Sequence, residues 1–372
     1  MLPRPDSSIT SPSSIAWPNP ARLTPFTAWL TPLALAHDLR MTTLRPASAD
    51  ASFRRYFRID SATQSFIIMD APPDKEDSEP FVRIAKLMRA AGLLVPQILD
   101  WHAQDGFMLL SDLGSKTMLD VLDRQAGYEH TSSTVSGNLP LYEQAIDALI
   151  TWQLASQPHV LPPYDEALLR RELQLFPDWY IAKHCGITLD ARQQAILDKA
   201  FNRIVANNLA SPSVFVHRDY MPRNLMAPYP ELLKNAAPAQ KLGVLDFQDA
   251  VYGPITYDIA SLMRDAFLSW EEDFVLDVTI RYWQKAKAAG LPLLDEWQSD
   301  FGAFYQAVEW MGLQRHLKIL GIFARLTLRD GKPKYLADTP RFIAYVRSTC
   351  NRYIDLKPLL RLVDEIEATH QN

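Results

Sequence analysis

The spacing of hydrophobic and polar residues predicts a small antiparallel sheet near the start of the chain. FRRYFRID (53–60) and SFIIMD (65–70) are strand-like runs, and the four small or polar residues between them are typical of a hairpin. Between 80 and 91 the apolar residues recur at helical spacing, and Gly92 ends that stretch. The runs LLVPQILDWH and GFMLLSDLG then have the character of two more strands. The pattern over 53–110 therefore predicts β-β-α-β-β.

Beyond Met118 the periodicity changes to that of helices. The stretches with helical spacing are 141–156, 165–184, 189–207, 257–268, 271–289, 295–328 and 339–370. A short β-rich section near 213–247 interrupts them. We therefore expect an α+β fold with two lobes: a small antiparallel-sheet lobe, then a large and mainly helical lobe, with a cleft suited to a ligand.

The expected domain boundaries follow from the same patterns. Residues 1–23 begin with a run rich in Pro and Ser that lacks the apolar core of a signal peptide, so we expect a disordered tail there. The small lobe then covers 24–112 and the helical lobe covers 113–372.

Composition excludes several classes of protein. With a formal net charge of −5, the 372-residue chain lacks the basic surplus that is typical of nucleic-acid binders. No apolar run approaches the roughly 20 residues that a membrane-spanning helix requires. The two cysteines and the scattered histidines fit neither a disulfide framework nor a zinc site. We therefore expect a cytoplasmic protein with no nucleic-acid, membrane or obligate protein partner.

The strongest chemical signal is VFVHRDYMPRNLMAP, residues 214–228. An apolar strand leads into His217, Arg218 and Asp219, and Asn224 follows five residues after the aspartate. This is the spacing H-R-D-x-x-x-x-N of a kinase catalytic loop, in which the aspartate receives or orients the acceptor hydroxyl and the asparagine binds Mg²⁺. We expect Asp219 to be catalytic, and His217 to orient the loop.

A second acidic motif lies about twenty residues later, in KLGVLDFQDA (241–250). Again an apolar strand ends in an acidic residue, here Asp246. Mg²⁺ prefers oxygen ligands and usually takes one or two carboxylates together with phosphate oxygens. Asp246 and Asn224 are therefore the expected ligands of Mg²⁺ on ATP, with Asp249 as an outer ligand.

These residues resemble the aminoglycoside phosphotransferase and choline kinase superfamily, whose second motif reads D-x-x-D as Asp246 to Asp249 do. The resemblance implies a protein-kinase-like fold and the cofactors ATP and Mg²⁺. It also implies that Asp258, in GPITYDIA, bonds back to the catalytic loop. No activation segment or APE motif follows, so protein phosphorylation is the less expected activity.

A branch of anomeric amino-sugar kinases is more similar still. The stretches that resemble it are DASFRRYFRI (50–59), FIIMDAPPDKED (66–77), HRDYMPRNLM (217–226) and LDFQDAVYGPITYDIASLMRDAF (245–267). This branch phosphorylates the 1-hydroxyl of N-acetylmuramate and N-acetylglucosamine in cell-wall recycling. The resemblance therefore implies an amino sugar as the small-molecule partner.

The first hairpin departs from the usual kinase pattern. It has no glycine-rich loop, and Met69 stands about where the strand lysine should be. In one interpretation Arg54, Arg55 or Arg58 supplies the phosphate-facing charge, with Arg54 and Arg58 favoured because the phenylalanines should face the lobe core. In the other, these arginines are a solvated strand face and ATP affinity is lost.

Adenine and acceptor contacts are less marked. By the resemblance, backbone groups of Ser111, Asp112 and Leu113 bond adenine. Candidate acceptor contacts lie on three helical segments: Glu172 and Trp179, Arg264 and Asp265, and Gln314 and Arg315. Aromatic faces stack on sugars and the polar groups bind hydroxyl, amide or carboxylate groups, although aromatics at helical spacing are more often core.

Two alternatives to an amino-sugar kinase remain open from the sequence. One is a kinase of another small alcohol, such as choline, homoserine or an aminoglycoside. The other is an ATP-binding module without catalysis. Met69 and the absence of glycines in the first hairpin favour this alternative.

Overall fold

The computed structural model describes residues 15–49, 53–122, 132–228 and 241–370. The chain forms two compact units, Met1–Lys116 with Met226–Gln248, and Thr117–Leu225 with Asp249–Asn372. The first unit contains the predicted small lobe (24–112). It also contains the segment that ends at Asp246, which the prediction had assigned to the helical lobe of 113–372.

The first unit is built on a five-stranded antiparallel sheet, and its strand order is β1-β2-β3-β5-β4. The strands are β1 (Arg40–Ala49), β2 (Arg55–Asp60), β3 (Ser65–Asp70), β4 (Ile98–His102) and β5 (Phe107–Ser111). The predicted hairpin is present, since Arg58 pairs with Ile67 across β2 and β3. The sheet thus has five strands, at the upper end of the four or five expected, and β1 is the strand that the pattern over 53–110 did not include.

Among the described residues of this unit, the α-helices are α1 (Leu23–Ala36) and α2 (Glu79–Ala90). Phe57 lies in one core with Phe26 and Trp29 of α1, so alternate residues of β2 face that helix. Arg58 consequently points to the opposite face of the sheet. The expectation that both phenylalanines of this hairpin face the core is wrong for Phe53, which precedes β2 and is 64% exposed.

The segment just before α1 is folded onto the sheet. Trp17 packs its ring 4.9 Å from that of Phe26, and Ile15 is buried. Arg22 and Arg55 both pair with the buried carboxylate of Asp70. The predicted disordered tail of 1–23 is therefore wrong for residues 15–23, because aromatic and ionic contacts fix them. Residues 1–14 of that tail lie outside the described residues.

The second unit contains most of the helices. They are α3 (Met118–Val121), α4 (Ser132–Leu154), α5 (Glu166–Leu173), a π-helix (Phe176–His184), α6 (Ala191–Ala210), α7 (Thr256–Met263), α8 (Glu272–Ala288), α9 (Phe301–Leu328), α10 (Thr339–Arg352) and α11 (Lys357–His370). The helix predicted over 165–184 is thus divided, since Pro177 removes an N–H that a continuous α-helix needs. The stretch 339–370 is likewise two helices.

Short strands frame the two acidic motifs. They are β6 (Ser213–Val216), β7 (Leu225–Met226), β8 (Gly243–Val244) and β9 (Val251–Pro254). Within the second unit, β6 and β9 pair antiparallel, with Val216 opposite Val251. This pairing fixes the start of the H-R-D loop. Within the described part of the chain, no helix is long and apolar enough to cross a membrane.

Candidate active site

The loop that follows β6 carries the predicted catalytic residues in a strained conformation. Arg218 has φ +76°, in the left-handed region that residues other than glycine rarely adopt. The buried carboxylate of Asp258, on α7, accepts hydrogen bonds from the backbone N–H groups of His217 (2.6 Å) and Arg218 (3.0 Å). Two charge-assisted hydrogen bonds therefore hold the turn that precedes Asp219.

His217 is a structural part of this loop. Its ring is buried, with 1% of the residue exposed, and lies edge-on to Tyr220 at 5.6 Å. Its Nδ1 accepts the N–H of Asp219 at 3.3 Å. The ring of His217 therefore orients the backbone of Asp219.

Asp219 is half-buried and thus reachable by a ligand. The side-chain amide of Asn224 donates to the carbonyl oxygen of Asp219 at 2.9 Å. This bond is local, because a single 3₁₀ turn (Pro222–Asn224) separates the two residues. The amide of Asn224 is thus bound to the loop that carries Asp219.

Asp246 belongs to the first unit and follows β8. Its φ is +61°, and its Oδ1 accepts a hydrogen bond from Gln248 at 2.8 Å. The intervening Phe247 is buried and packs 4.9 Å from the ring of Phe81 on α2. The backbone thus turns sharply at the carboxylate while its neighbour anchors the turn.

The oxygen chemistry fits magnesium. Among the described residues there is no group of three or more His, Cys, Asp or Glu side chains that could hold a metal ion. Asn224, in the second unit, has an amide oxygen, and Asp246, in the first unit, has a carboxylate. Each is a kind of oxygen ligand that Mg²⁺ accepts together with phosphate oxygens and water. The predicted outer ligand Asp249 is exposed, and its carbonyl accepts from Arg218 at 3.4 Å.

Each of the three candidate arginines near the hairpin has a carboxylate partner. Arg58 binds Asp112 through Nε at 2.6 Å, and its Nη2 also donates to the carbonyl of Gly114 at 2.7 Å. Arg54 pairs with Glu76 at 3.1 Å. Arg55, as described above, pairs with Asp70 on the α1 side of the sheet.

These pairs answer part of the question that the hairpin raises. The position of the expected lysine is filled by Met69, which is fully buried opposite Met108. The arginines do not form a fully solvated strand face. Arg54 is buried, and Arg58 forms an ion pair with Asp112. Any contact of Arg54 or Arg58 with a phosphate therefore has to coexist with these ion pairs.

In the segment predicted to bind adenine, Ser111 and Asp112 are already hydrogen-bonded to other protein groups. The N–H of Ser111 donates to Gln97 at 2.9 Å, and Asp112 accepts from Arg58, Ser65 and its own neighbour Gly114. Among the described residues, the backbone N–H and C=O of Leu113 have no protein hydrogen-bond partner. Leu113 is thus the position in this segment with backbone groups to offer.

Arg264 and Asp265 differ in how they are used. Arg264 binds Glu272 at 2.7 Å and the hydroxyl of Tyr305 at 3.2 Å. Asp265 is 2% exposed; its Oδ1 accepts the N–H of Phe267 at 3.2 Å, whereas its Oδ2 has no hydrogen-bond partner in the described chain. Burial raises the pKa of Asp265 to about 6, although backbone N–H groups and Arg315 partly oppose this.

Two of the predicted acceptor contacts have other surroundings. Gln314 is completely buried and its Nε2 donates to the carbonyl of Leu169 at 2.9 Å, so it joins α9 to α5. Trp179 is half-buried on the π-helix and makes no hydrogen bond or ring contact with the described residues. Gln314 therefore has a packing role between two helices. No hydrogen bond or ring contact with a described residue joins Trp179 to the H-R-D loop.

Comparison with known proteins identifies the family. The sequence pattern of the phosphotransferase enzyme family matches residues 43–297. The chain belongs to this family. It is 49% identical over 320 residues to the N-acetylmuramate/N-acetylglucosamine kinase of Pseudomonas aeruginosa, covering 86% of this chain and 87% of that protein. The enzyme of the same name from Neisseria meningitidis is 44% identical over 339 residues, with 91% and 94% covered.

Solved structures agree in fold. An aminoglycoside phosphotransferase with ADP bound superimposes with a TM-score of 0.54 at 13% identity, over 85% of this chain and 96% of that one. At this identity the likeness shows the fold alone. The predicted kinase-like fold and the prediction of a phosphotransferase are both confirmed.

The phosphotransferase also has one functional candidate that the sequence did not reveal, Lys318, and it lies close to two that the sequence did suggest. Arg315 donates to the carbonyl of Arg218 at 2.6 Å, and Lys318 pairs with Glu172 at 3.0 Å. Glu172 in turn accepts from the guanidinium of Arg218 at 2.6 Å. Glu172 and Arg315 were predicted to contact the acceptor. In the structure both bind Arg218, in the H-R-D loop, instead. Lys318 lacked any sequence motif that could have marked it.

Proposed function

We propose that this phosphotransferase moves the γ-phosphate of ATP to the anomeric hydroxyl of N-acetylmuramate or N-acetylglucosamine, in the recycling of cell-wall sugars. The observation that carries the proposal is the 49% identity, over most of both chains, to a kinase named for those two sugars. The ordered H-R-D loop supports it, since the loop presents a half-buried Asp219 next to Asn224.

Asp219 is the proposed catalytic base. Its carboxylate accepts the hydrogen bond of the acceptor hydroxyl and takes the proton as the hydroxyl oxygen bonds to phosphorus and the bond to ADP breaks. His217 and Asp258 do not exchange protons in this scheme, because both are buried and bonded to the loop backbone. They keep the carboxylate of Asp219 oriented.

Asn224 and Asp246 are the proposed ligands of Mg²⁺ on the nucleotide, and this assignment rests on motif spacing and oxygen chemistry. When bound, the cation would neutralise charge on the phosphate oxygens. The side chain of Gln248 holds one oxygen of Asp246 in place. Leu113 is the proposed backbone contact of adenine.

Asp265 is the proposed acceptor contact. A buried carboxylate oxygen without a partner is unfavourable, and a sugar hydroxyl or acetamido N–H would satisfy it. Asp265 also lies within electrostatic range of Arg223, which is part of the catalytic loop. Arg264 precedes Asp265 in the chain, and its bonds to Glu272 and Tyr305 support the backbone next to that carboxylate.

The decisive experiment measures ATP consumption with Mg²⁺ against N-acetylmuramate, N-acetylglucosamine, choline, homoserine and kanamycin. The product is then examined by ³¹P and ¹³C NMR. Phosphate on C1 of an amino sugar is the expected result. A phosphate on another hydroxyl of the same sugar would keep the substrate and overturn the anomeric site.

Two outcomes would point elsewhere. Turnover of choline, homoserine or kanamycin alone would retain the phosphotransferase chemistry and reject the cell-wall role. ATP binding without turnover of any acceptor would favour a non-catalytic module, for which the buried Met69 in place of a lysine is the structural reason.

A further inference from the structure

The geometry points to Arg315 and Lys318 of α9 as positioning residues for the catalytic loop. We infer that they hold Arg218 in its left-handed conformation and thereby set the direction of Asp219. This inference rests on the proposed role of Asp219. The set of Arg315, Lys318 and Glu172 is called the loop clamp below.

Arg315 holds the loop backbone from one side. Its Nη1 donates to the carbonyl of Arg218 at 2.6 Å, while Asp258 accepts the N–H of the same residue. Both polar backbone groups of the left-handed residue are thus bound by charged side chains. The guanidinium of Arg315 also lies over the ring of Tyr257 at 4.8 Å, which fixes its own position.

Lys318 holds the loop through a side chain. Its ammonium group pairs with Oε1 of Glu172 at 3.0 Å, and the same oxygen accepts from Nη2 of Arg218 at 2.6 Å. The hydroxyl of Tyr164 donates to the other carboxylate oxygen. Both oxygens of Glu172 thus already accept from protein donors, which makes Glu172 a poorer acceptor contact.

Electrostatics keep the loop clamp ionised although it is buried. Burial alone would raise the pKa of Glu172, but Lys318 and Arg218 outweigh it and lower the pKa to about 2. Burial likewise opposes the charges on Arg315 and Lys318. Tyr257 and Asp219 raise the pKa of Arg315, and Glu172 does so for Lys318. Each of these interactions favours the charged form of its loop-clamp residue.

The catalytic consequence follows from the chain itself. Asp219 comes directly after Arg218, so a change of φ at Arg218 rotates the carboxylate of Asp219 as a whole. A left-handed backbone at a non-glycine residue persists only where its surroundings impose it. Releasing the carbonyl or the guanidinium of Arg218 would let the turn relax and move Asp219 away from its working direction.

The test compares Arg315→Met and Lys318→Met with the wild type, and Arg315→Lys as the conservative variant. Arg325→Met, a change of the same kind ten residues along α9, is the matched control. Each protein is measured in two ways. Amide hydrogen exchange follows the peptide that contains His217, Arg218 and Asp219, and steady-state kinetics give kcat and both KM values.

Release of the loop clamp should speed exchange at the amide of Arg218 about tenfold, while α9 and α11 stay protected. It should also lower kcat by about 10²-fold with KM for ATP and sugar nearly unchanged. Arg315→Lys keeps one donor and should recover part of kcat. Arg325→Met should leave both readouts at the wild-type level.

Three results would overturn the inference. Unchanged exchange at the loop in both methionine variants would show that the clamp does not hold it. Faster exchange with normal kcat would show that the held conformation does not matter for turnover. A raised sugar KM with normal kcat would return Arg315 to the role of acceptor contact. A wild-type protein without turnover would refute the proposed function instead, while the exchange comparison would still decide whether the clamp holds the loop.

Discussion

The carboxylate of Asp258 binds the N–H of Arg218, and that residue has a left-handed backbone. The two residues are 40 positions apart, and α7 brings them together as it follows the β6–β9 pair. Burial raises the pKa of Asp258 to about 6, while His217 and the two backbone N–H groups hold it from rising further. The buried carboxylate of Asp258 thus shapes the turn that precedes Asp219, the predicted catalytic residue.

Replacement of Asp219 by alanine should remove nearly all turnover without unfolding the protein. Loss of a general base typically lowers kcat by about 10²–10⁴-fold. Because Asp219 is half-buried and its backbone makes the structural contacts, the midpoint of urea unfolding should change little. Steady-state kinetics and urea unfolding together check this. Wild-type kcat in a folded Asp219→Ala variant would reject the assignment.

The ion pair of Arg58 and Asp112 should contribute to stability more than an exposed pair of the same sheet. Asp112 has a side chain only 4% exposed, so Arg58→Met should destabilise the protein by about 3 kcal/mol, since it leaves a buried charge unpaired. The exposed pair Arg45–Asp60 is the matched control, and Arg45→Met should cost at most about 1 kcal/mol. Urea unfolding measures both. Equal losses would contradict the structural role of Arg58.

Replacement by alanine should change the stability of the protein in opposite directions at two glycines of α9. A Cβ on Gly321 would lie 2.2 Å from the carbonyl oxygen of Leu175, whereas a Cβ on Gly312 would meet its nearest neighbour at 3.8 Å. Gly321→Ala should therefore destabilise the protein by about 1–3 kcal/mol through overpacking. Gly312→Ala should be neutral or stabilise it by up to about 1 kcal/mol, because alanine favours helix. A thermal or urea melt distinguishes them, and an unaffected Gly321→Ala would refute the close packing.

The buried acid Asp265 should make stability depend on pH. Its pKa is raised in the folded state to about 6, so the folded protein binds this proton more tightly than the unfolded chain does. Its stabilising contribution is present below about pH 4 and is lost as the pH rises through 6, a change of about 3 kcal/mol. Asparagine does not titrate. Relative to wild type, Asp265→Asn should therefore be more stable at pH 7.5 than at pH 4.

Urea unfolding of both proteins at the two pH values checks this. Asp273→Asn, which changes an exposed carboxylate at the start of α8, controls for the altered net charge. An equal difference between wild type and Asp265→Asn at both pH values would contradict the burial of an ionisable Asp265.

The sequence by itself was sufficient for the local parts of this protein. Period-2 alternation assigned Phe57 and Arg58 to opposite faces of β2, and the hairpin register agrees. The interval between Asp219 and Asn224 predicted one loop, because five residues fit a single turn. Such features depend on neighbours in the chain and can therefore be deduced from spacing.

The family resemblance implied the bond between Asp258 and the loop, but only the tertiary structure decided which other distant groups meet. Arg315 and Glu172 had the chemistry of acceptor contacts, but the packing of α9 and α5 brings them to Arg218. Lys318 had no motif at all, and Asp70 collects two arginines from separate segments. Burial and pairing of charges arise from contacts across many residues of chain, and spacing along the sequence holds no information about them.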